Sequence, residues 1–147
     1  ISDNVTTDSE GTTEEERFGN PTPRIAECPQ GMLNSVGLQN PGVHDVIAKE
    51  LPKLKEVFDK KVIANVGGFS VEEYVECCKL LDKEEQVGIL EINISCPNLH
   101  AGGVNFGTDA KNAAAVIEEL VGDLCCSLFK GYIFAFCDNI IGFQNIA

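Results

Sequence analysis

The sequence predicts an α/β fold of parallel strands alternating with helices, and three observations carry that reading. Along residues 43 to 121 the apolar residues switch between helical and strand-like spacing, giving the order helix, strand, helix, strand, helix. The connections between these segments are short, and strands joined by single helices pair in parallel through right-handed crossovers. The composition is 44% hydrophobic with mean hydropathy near zero, which places the 147 residues in one globular domain and excludes a disordered tail or a membrane bundle.

Residues 1–16 are mostly Ser, Thr, Asp and Glu, with too little apolar surface to offset the entropy of ordering them, so they read as an acidic, loop-like segment. Between Asn20 and Asn40, Pro, Gly and Asn recur in GNPTPRIAECPQGMLNSVGLQNPG and exclude a long helix or strand; an extended structured loop is expected. Val43, Val46, Ile47, Leu51, Leu54, Val57 and Phe58 fall at helical spacing, with a kink or break at Pro52. KVIANV (61–66) reads as a short buried strand closed by Gly67 and Gly68. Ser70 caps the next helix, Glu73 completes a capping box, and Val71, Tyr74, Val75, Cys78 and Leu81 form its apolar stripe.

VGILEINISCP (87–97) reads as a second strand, stopped by Pro97. The Gly-rich loop AGGVNFG (101–107) leads to Thr108 as a cap, and a third helix carries Val116, Ile117, Leu120 and Val121 on one side. From Gly122 onward an apolar run without clear period follows, broken by Lys130, Gly131 and Asp138, and it falls short of a membrane span. It reads as a divergent tail, 122–147, either buried and covering part of the exposed face or, the reading preferred here, the product of a frameshifted or mispredicted gene. The expected division is therefore 1–16, 17–121 and 122–147.

The formal charge of −12 repels phosphate backbones, so nucleic acid and anionic membranes are excluded as partners. Six acids (Asp3, Asp8, Glu10, Glu14, Glu15, Glu16) precede the first base, Arg17, so half of the net charge belongs to one end. Seven cysteines is an odd number, none at CxxC spacing, and free thiols in a reducing, cytoplasmic compartment are expected. Cys28, Cys77, Cys78 and Cys126 read as small apolar residues. His44 and His100 have no neighbour at metal-ligand spacing, so no metal is expected. The chain starts at Ile1 without a basic and then apolar leader, and the missing methionine suggests that residues precede it.

In parallel α/β sheets, ligands bind beyond the carboxyl ends of the strands, where loops vary and helix N-termini point their amides. Asn65 lies at the end of the first strand, and Asn93 and Cys96 at the end of the second. An Asn inside an apolar strand ordinarily bonds neighbouring backbone. Two at matching ends of consecutive strands, with a thiol beside one, point instead to a ligand. Cys96, held between Ser95 and Pro97, is a candidate proton acceptor, because a thiol titrates within reach of neutral pH. Gly67–Gly68 before a helix is weak evidence for a phosphate cradle, and more often only a tight turn.

RFGNPTPRIAECPQGMLNSVGLQNPG, IANVGG, and EINISCPN followed by GGVNFGTD, in that order and spacing, closely resemble the class 1 dihydroorotate dehydrogenases, particularly the NAD-linked subtype. The resemblance covers about residues 10 to 121. It implies a flavin mononucleotide (FMN)-dependent (β/α)8 barrel, here a partial one, that oxidises dihydroorotate to orotate in pyrimidine synthesis. Cys96 would be the base taking the proton from substrate C5 while hydride leaves C6 for the flavin. Asn93 would touch flavin and substrate, and Asn65 and Gly11 the flavin. Asn34, Ser35, Val36, Gly37 and Leu38 would line the substrate pocket, with Asn34 bonding its polar edge. An iron–sulfur flavoprotein subunit carrying FAD and a [2Fe-2S] cluster would take the electrons onward.

Two departures stand out. Glu10 occupies the place of a family lysine that contacts flavin and substrate, and a carboxylate there would repel the substrate carboxylate. A closed barrel of this type needs about 250 residues, so a fragment is expected, marginal or aggregation-prone alone or completed by a second copy of the chain. Two other readings compete: a catalytically inactive barrel remnant or interaction module, and a dihydropyrimidine dehydrogenase-like flavin domain. RFGNPTPR and NSVGLQNPG favour the dihydroorotate enzymes over the latter.

Overall fold

The computed structural model describes residues 11–29, 31–94, 110–124 and 133–136. Their elements run in the order β1 (Ile25–Cys28), β2 (Gly31–Asn34), α1 (Val43–Asp45), a π-helical turn (Val46–Glu50), α2 (Leu51–Val57), β3 (Val62–Val66), α3 (Val71–Leu81), β4 (Val87–Asn93), α4 (Ala110–Leu124) and β5 (Ile133–Phe136). Strands β3, β4 and β5 form one parallel sheet in that order, so the expected α/β alternation is present. Three parallel strands are seen among the described residues, not a closed barrel.

The sheet takes its stability from one face. Val62, Ala64 and Val66 of β3 and Leu90 and Ile92 of β4 are buried against Tyr74, Val75, Cys77, Cys78 and Leu81 of α3 and Val116 and Leu120 of α4. Full burial of each such aliphatic side chain contributes about 1.5–3 kcal/mol. A shift in register between the pairs Val62↔Val87 and Ile63↔Ile89 leaves Gly88 unpaired. That irregularity is why Val87 and Leu90, three residues apart, both reach the core, where a regular strand would set them on opposite faces.

Helix α3 follows its predicted bounds. Ser70 Oγ accepts from the Glu73 amide at 3.3 Å, and Glu73 Oε2 accepts in return from the Phe69 amide at 2.9 Å, one residue earlier than the usual partner. The helix over residues 43–57 is continuous but widens to a π-turn immediately before Pro52. In a regular α-helix the Pro52 ring would collide with the carbonyl of Ala48, and the wider turn relieves that clash.

Several expectations are corrected. Strand β4 ends at Asn93, and Ile94 is already outside it. The third helix does not stop at Val121 but runs to Leu124. Residues 133–136 of the apparently aberrant tail form β5, paired in parallel with β4 from Leu90↔Ile133 to Asn93↔Phe136. The stretch read as loop holds an antiparallel hairpin, β1–β2, with Ile25 paired to Asn34 and Cys28 to Gly31. Its four-residue strands are largely exposed, and Cys28 is only half-buried. Nor is the acidic segment loop throughout: Thr12 pairs in parallel with Val66, and Thr12 and Thr13 are fully buried. The Thr12 amide donates to Asn65 O at 2.7 Å, and the Gly67 amide to Thr12 O at 2.9 Å, so Thr12 continues the sheet beyond β3.

Candidate functional site

Alternation along β3 and β4 sends Ile63, Asn65, Ile89, Glu91 and Asn93 to the face opposite the helices, and the register sets Asn65 beside Glu91. On that face the polar side chains form a chain. Asn65 Nδ2 donates to Glu91 Oε1, and Asn93 Nδ2 donates to Asn65 Oδ1 at 3.4 Å. Asn65 is buried, at 8% exposure, whereas Glu91 and Asn93 keep partial access to solvent. From the helix side, the Tyr74 hydroxyl donates to the Asn93 carbonyl at 2.6 Å and fixes the end of β4.

Two further groups converge on this end of β3. Gly11 has φ +93, and a Cβ there would lie 2.7 Å from Asn65 Oδ1, so only glycine leaves room for the amide. Leu38, at 1% exposure, sets its methyl groups against Gly67 and beside Gly11. Of the residues expected at a site, the structure therefore brings Gly11, Leu38, Asn65 and Asn93 together.

The rest of the 34–38 stretch is held by a different set of contacts. Asn34 is exposed at the end of β2, and its Oδ1 accepts from the Val36 amide at 3.4 Å. The Ser35 amide donates to Arg24 O at 2.8 Å, and the Asn20 amide to Val36 O at 2.9 Å. Gly37 has φ +79 and packs so tightly on Asn20 that a Cβ would sit 2.7 Å from its Nδ2. These bonds fasten the stretch to the hairpin stem, which leads Leu38 into the sheet. Cys96 lies outside the described residues, as do Glu10, Asn98, His100 and the Gly-rich loop.

Three participants were missed from sequence. Glu91 stands inside an apolar strand two residues before Asn93, and that period of two was the available signal. Thr13 and Asn40 form a buried polar clasp. Asn40 Nδ2 donates to Thr13 Oγ1 at 2.9 Å and to Leu38 O at 2.8 Å, while Asn40 Oδ1 accepts from the Gly42 amide at 2.9 Å. The clasp ties the backbone at Leu38 to the segment beside β3, and nothing in the pattern of the sequence marked it.

The buried thiols are not part of this arrangement. Burial, reinforced by Asp82, pushes the Cys78 thiol up to about 12, and burial raises Cys77 as well, with Cys78 adding to the effect. Both are inert near neutral pH. Among the described residues no group of His, Cys, Asp and Glu could hold a metal ion, and no helix is long and apolar enough to cross a membrane.

A parallel sheet packed by helices on one face, with amides gathered at the carboxyl end of its other face, defines a protein of the α/β class. The dihydroorotate dehydrogenase family model matches residues 5–123, and the chain belongs to that family. It is 58% identical over 109 residues to the catalytic subunit of dihydroorotate dehydrogenase B (NAD(+)) of Anoxybacillus flavithermus, covering 74% of this chain and 35% of that protein. With the subunit of the same name from Bacillus caldolyticus it shares 53% over 113 residues, 77% of this chain and 36% of the relative. The chain thus spans about a third of the length of these curated relatives.

Proposed function

We propose that this chain contributes part of an FMN-dependent active site that oxidises dihydroorotate to orotate in pyrimidine synthesis. The observation that carries the reading is the convergence of Asn65, Asn93, Gly11 and Leu38 at adjoining strand ends, within a sequence more than half identical to catalytic subunits of that name. The residues present fit a planar heterocycle. Amides offer donors and acceptors to its polar edge, and Gly11, packed against Leu38, leaves the room that the Asn65 amide needs.

Asn65 and Gly11 would hold the flavin, Asn93 flavin and substrate together, and Asn34 to Leu38 the substrate. Bound flavin supplies a two-electron acceptor for the C5–C6 bond. The chain's own part is to orient the ring and to take a proton: Cys96 would remove it from C5 as the C6 hydrogen departs as hydride to that acceptor, and the bond between C5 and C6 becomes double. The barrel would be closed by further strands or a second copy of the chain, and electrons would pass to a partner subunit carrying FAD and a [2Fe-2S] cluster, in the cytoplasm.

Flavin binding is the first test. The purified chain mixed with FMN should turn yellow after gel filtration and melt at higher temperature than without it. Dihydroorotate oxidation by the barrel completed with its missing strands should fall by at least about a hundredfold in Cys96→Ser, the range general base catalysis supplies. Turnover unchanged in that variant would remove the thiol from the mechanism.

A further inference from the structure

Glu91 has no place in the reading above, yet it is the residue on which the amide chain ends. A carboxylate only accepts, so Asn65 must turn its Nδ2 toward Glu91 Oε1. That choice is not local. With Nδ2 committed, Asn65 presents Oδ1 to the other side, where Asn93 Nδ2 donates to it. Asn93 thereby commits an Nδ2 hydrogen to Asn65. Replace the carboxylate with an apolar side chain and either orientation of Asn65 becomes available, because an amide's two ends differ little in shape. Glu91 is half-buried on the face opposite the helices, and its register partner is Asn65 itself.

We propose that Glu91 is a positioning residue that sets the donor–acceptor polarity of the Asn65–Asn93 pair presented to a bound heterocycle. The inference rests on the flavin reading for its purpose but not for its geometry, and the two are separable by experiment. The apo chain labelled with 15N gives side-chain amide resonances for Asn65 and Asn93, assigned by their loss in Asn65→Asp and Asn93→Asp. In Glu91→Leu both pairs should move. In Glu91→Gln, which keeps an accepting oxygen, the Asn93 pair should stay near its parental position. An Asn93 pair unmoved in Glu91→Leu would overturn the proposal. Should Glu91→Leu fail to fold, Asn65→Leu cuts the same chain at its middle, and an unmoved Asn93 pair there has the same meaning.

Quenching of FMN fluorescence supplies the second readout. Loss of a fixed hydrogen-bond polarity should weaken FMN by about tenfold in Glu91→Leu, with Glu91→Gln in between. Equal affinity in parent and Glu91→Leu would overturn the role in ligand binding. A parent chain that binds no FMN would instead count against the flavin reading, while the amide resonances still decide whether Glu91 sets the pair.

Discussion

The two faces of the β3–β4 sheet divide the work of the molecule. On the helix side Val62, Val66 and Ile92 are at 0% exposure and pack against α3 and α4. Across the same two strands, Ile63, Ile89, Glu91 and Asn93 keep partial access to solvent, and the buried member of that face, Asn65, is polar and hydrogen-bonded. Burial on the first face stabilises the fold whatever it binds. The second face carries directional groups that a barrel interior or a ligand would cover, so its side chains are chosen for what they can hold.

The contrast predicts unequal costs of truncation. Ile92→Ala empties a site that α3 and α4 enclose, and should cost about 3–4 kcal/mol. Set against a total stability of about 5–15 kcal/mol for an ordinary domain, that loss should remove a large part of the margin and show as a clearly lower urea midpoint by circular dichroism. A loss below about 1 kcal/mol would mean that the helix side is not the structural core.

The helix side also carries a pH dependence. The folded-state pKa of Cys78 is raised to about 12 from an ordinary 9.0, and that of Cys77 is raised as well. A raised pKa means that the folded state favours the protonated thiol. The contribution is complete below pH 9, where both states hold the proton, and is lost as pH climbs toward the folded value. Stability should therefore fall from about pH 9 upward by as much as about 1.4 kcal/mol per pH unit for each thiol. Urea midpoints measured between pH 8 and 10.5 should flatten in the Cys77→Ala/Cys78→Ala double variant. A slope equally steep in that variant would place the alkaline transition elsewhere.

A smaller loss is expected at the edge of the same core. Ser70→Ala removes the acceptor for the Glu73 amide and should cost about 1 kcal/mol, seen as a drop of several degrees in Tm.

The helix side was also the legible side. Its elements announce themselves by period: Val71, Tyr74, Val75, Cys78 and Leu81 on α3, the Ser70–Glu73 box, and the β-branched run of β3. Cys77, read as a small apolar residue although it sits off the stripe, is fully buried, and its Sγ donates to Thr12 O at 3.6 Å. That contact exists only because Thr12 pairs with Val66, a separation of more than fifty residues that no local pattern encodes. The hairpin was hidden for a different reason. Its strands are four residues long, exposed, and flanked by Pro and Gly, so neither propensity nor alternation marks them. Strand β5 was hidden by an apolar run in which helix and strand cannot be told apart by period. At the site, Asn65 and Asn93 were readable as polar interruptions at strand ends, whereas Glu91 gains its meaning from the register that sets it beside Asn65.

The least costly change should be Ile89→Ala, on the open face two residues from Glu91. Ile89 is half-exposed in the chain alone, so its truncation should cost roughly 1 kcal/mol or less. The value of the experiment lies in repeating it with FMN at saturating concentration. A ligand that covers this face removes the Ile89 methylenes from water only in the complex, and the Tm difference between parent and variant should then widen. If the difference instead stays the same with and without FMN, Ile89 is not covered by the ligand, and the ring lies farther out, beyond the strand ends. If Ile89→Ala proves as damaging as Ile92→Ala in the chain alone, the open face is already closed by another copy of the chain. Sedimentation of the parent would then show an oligomer.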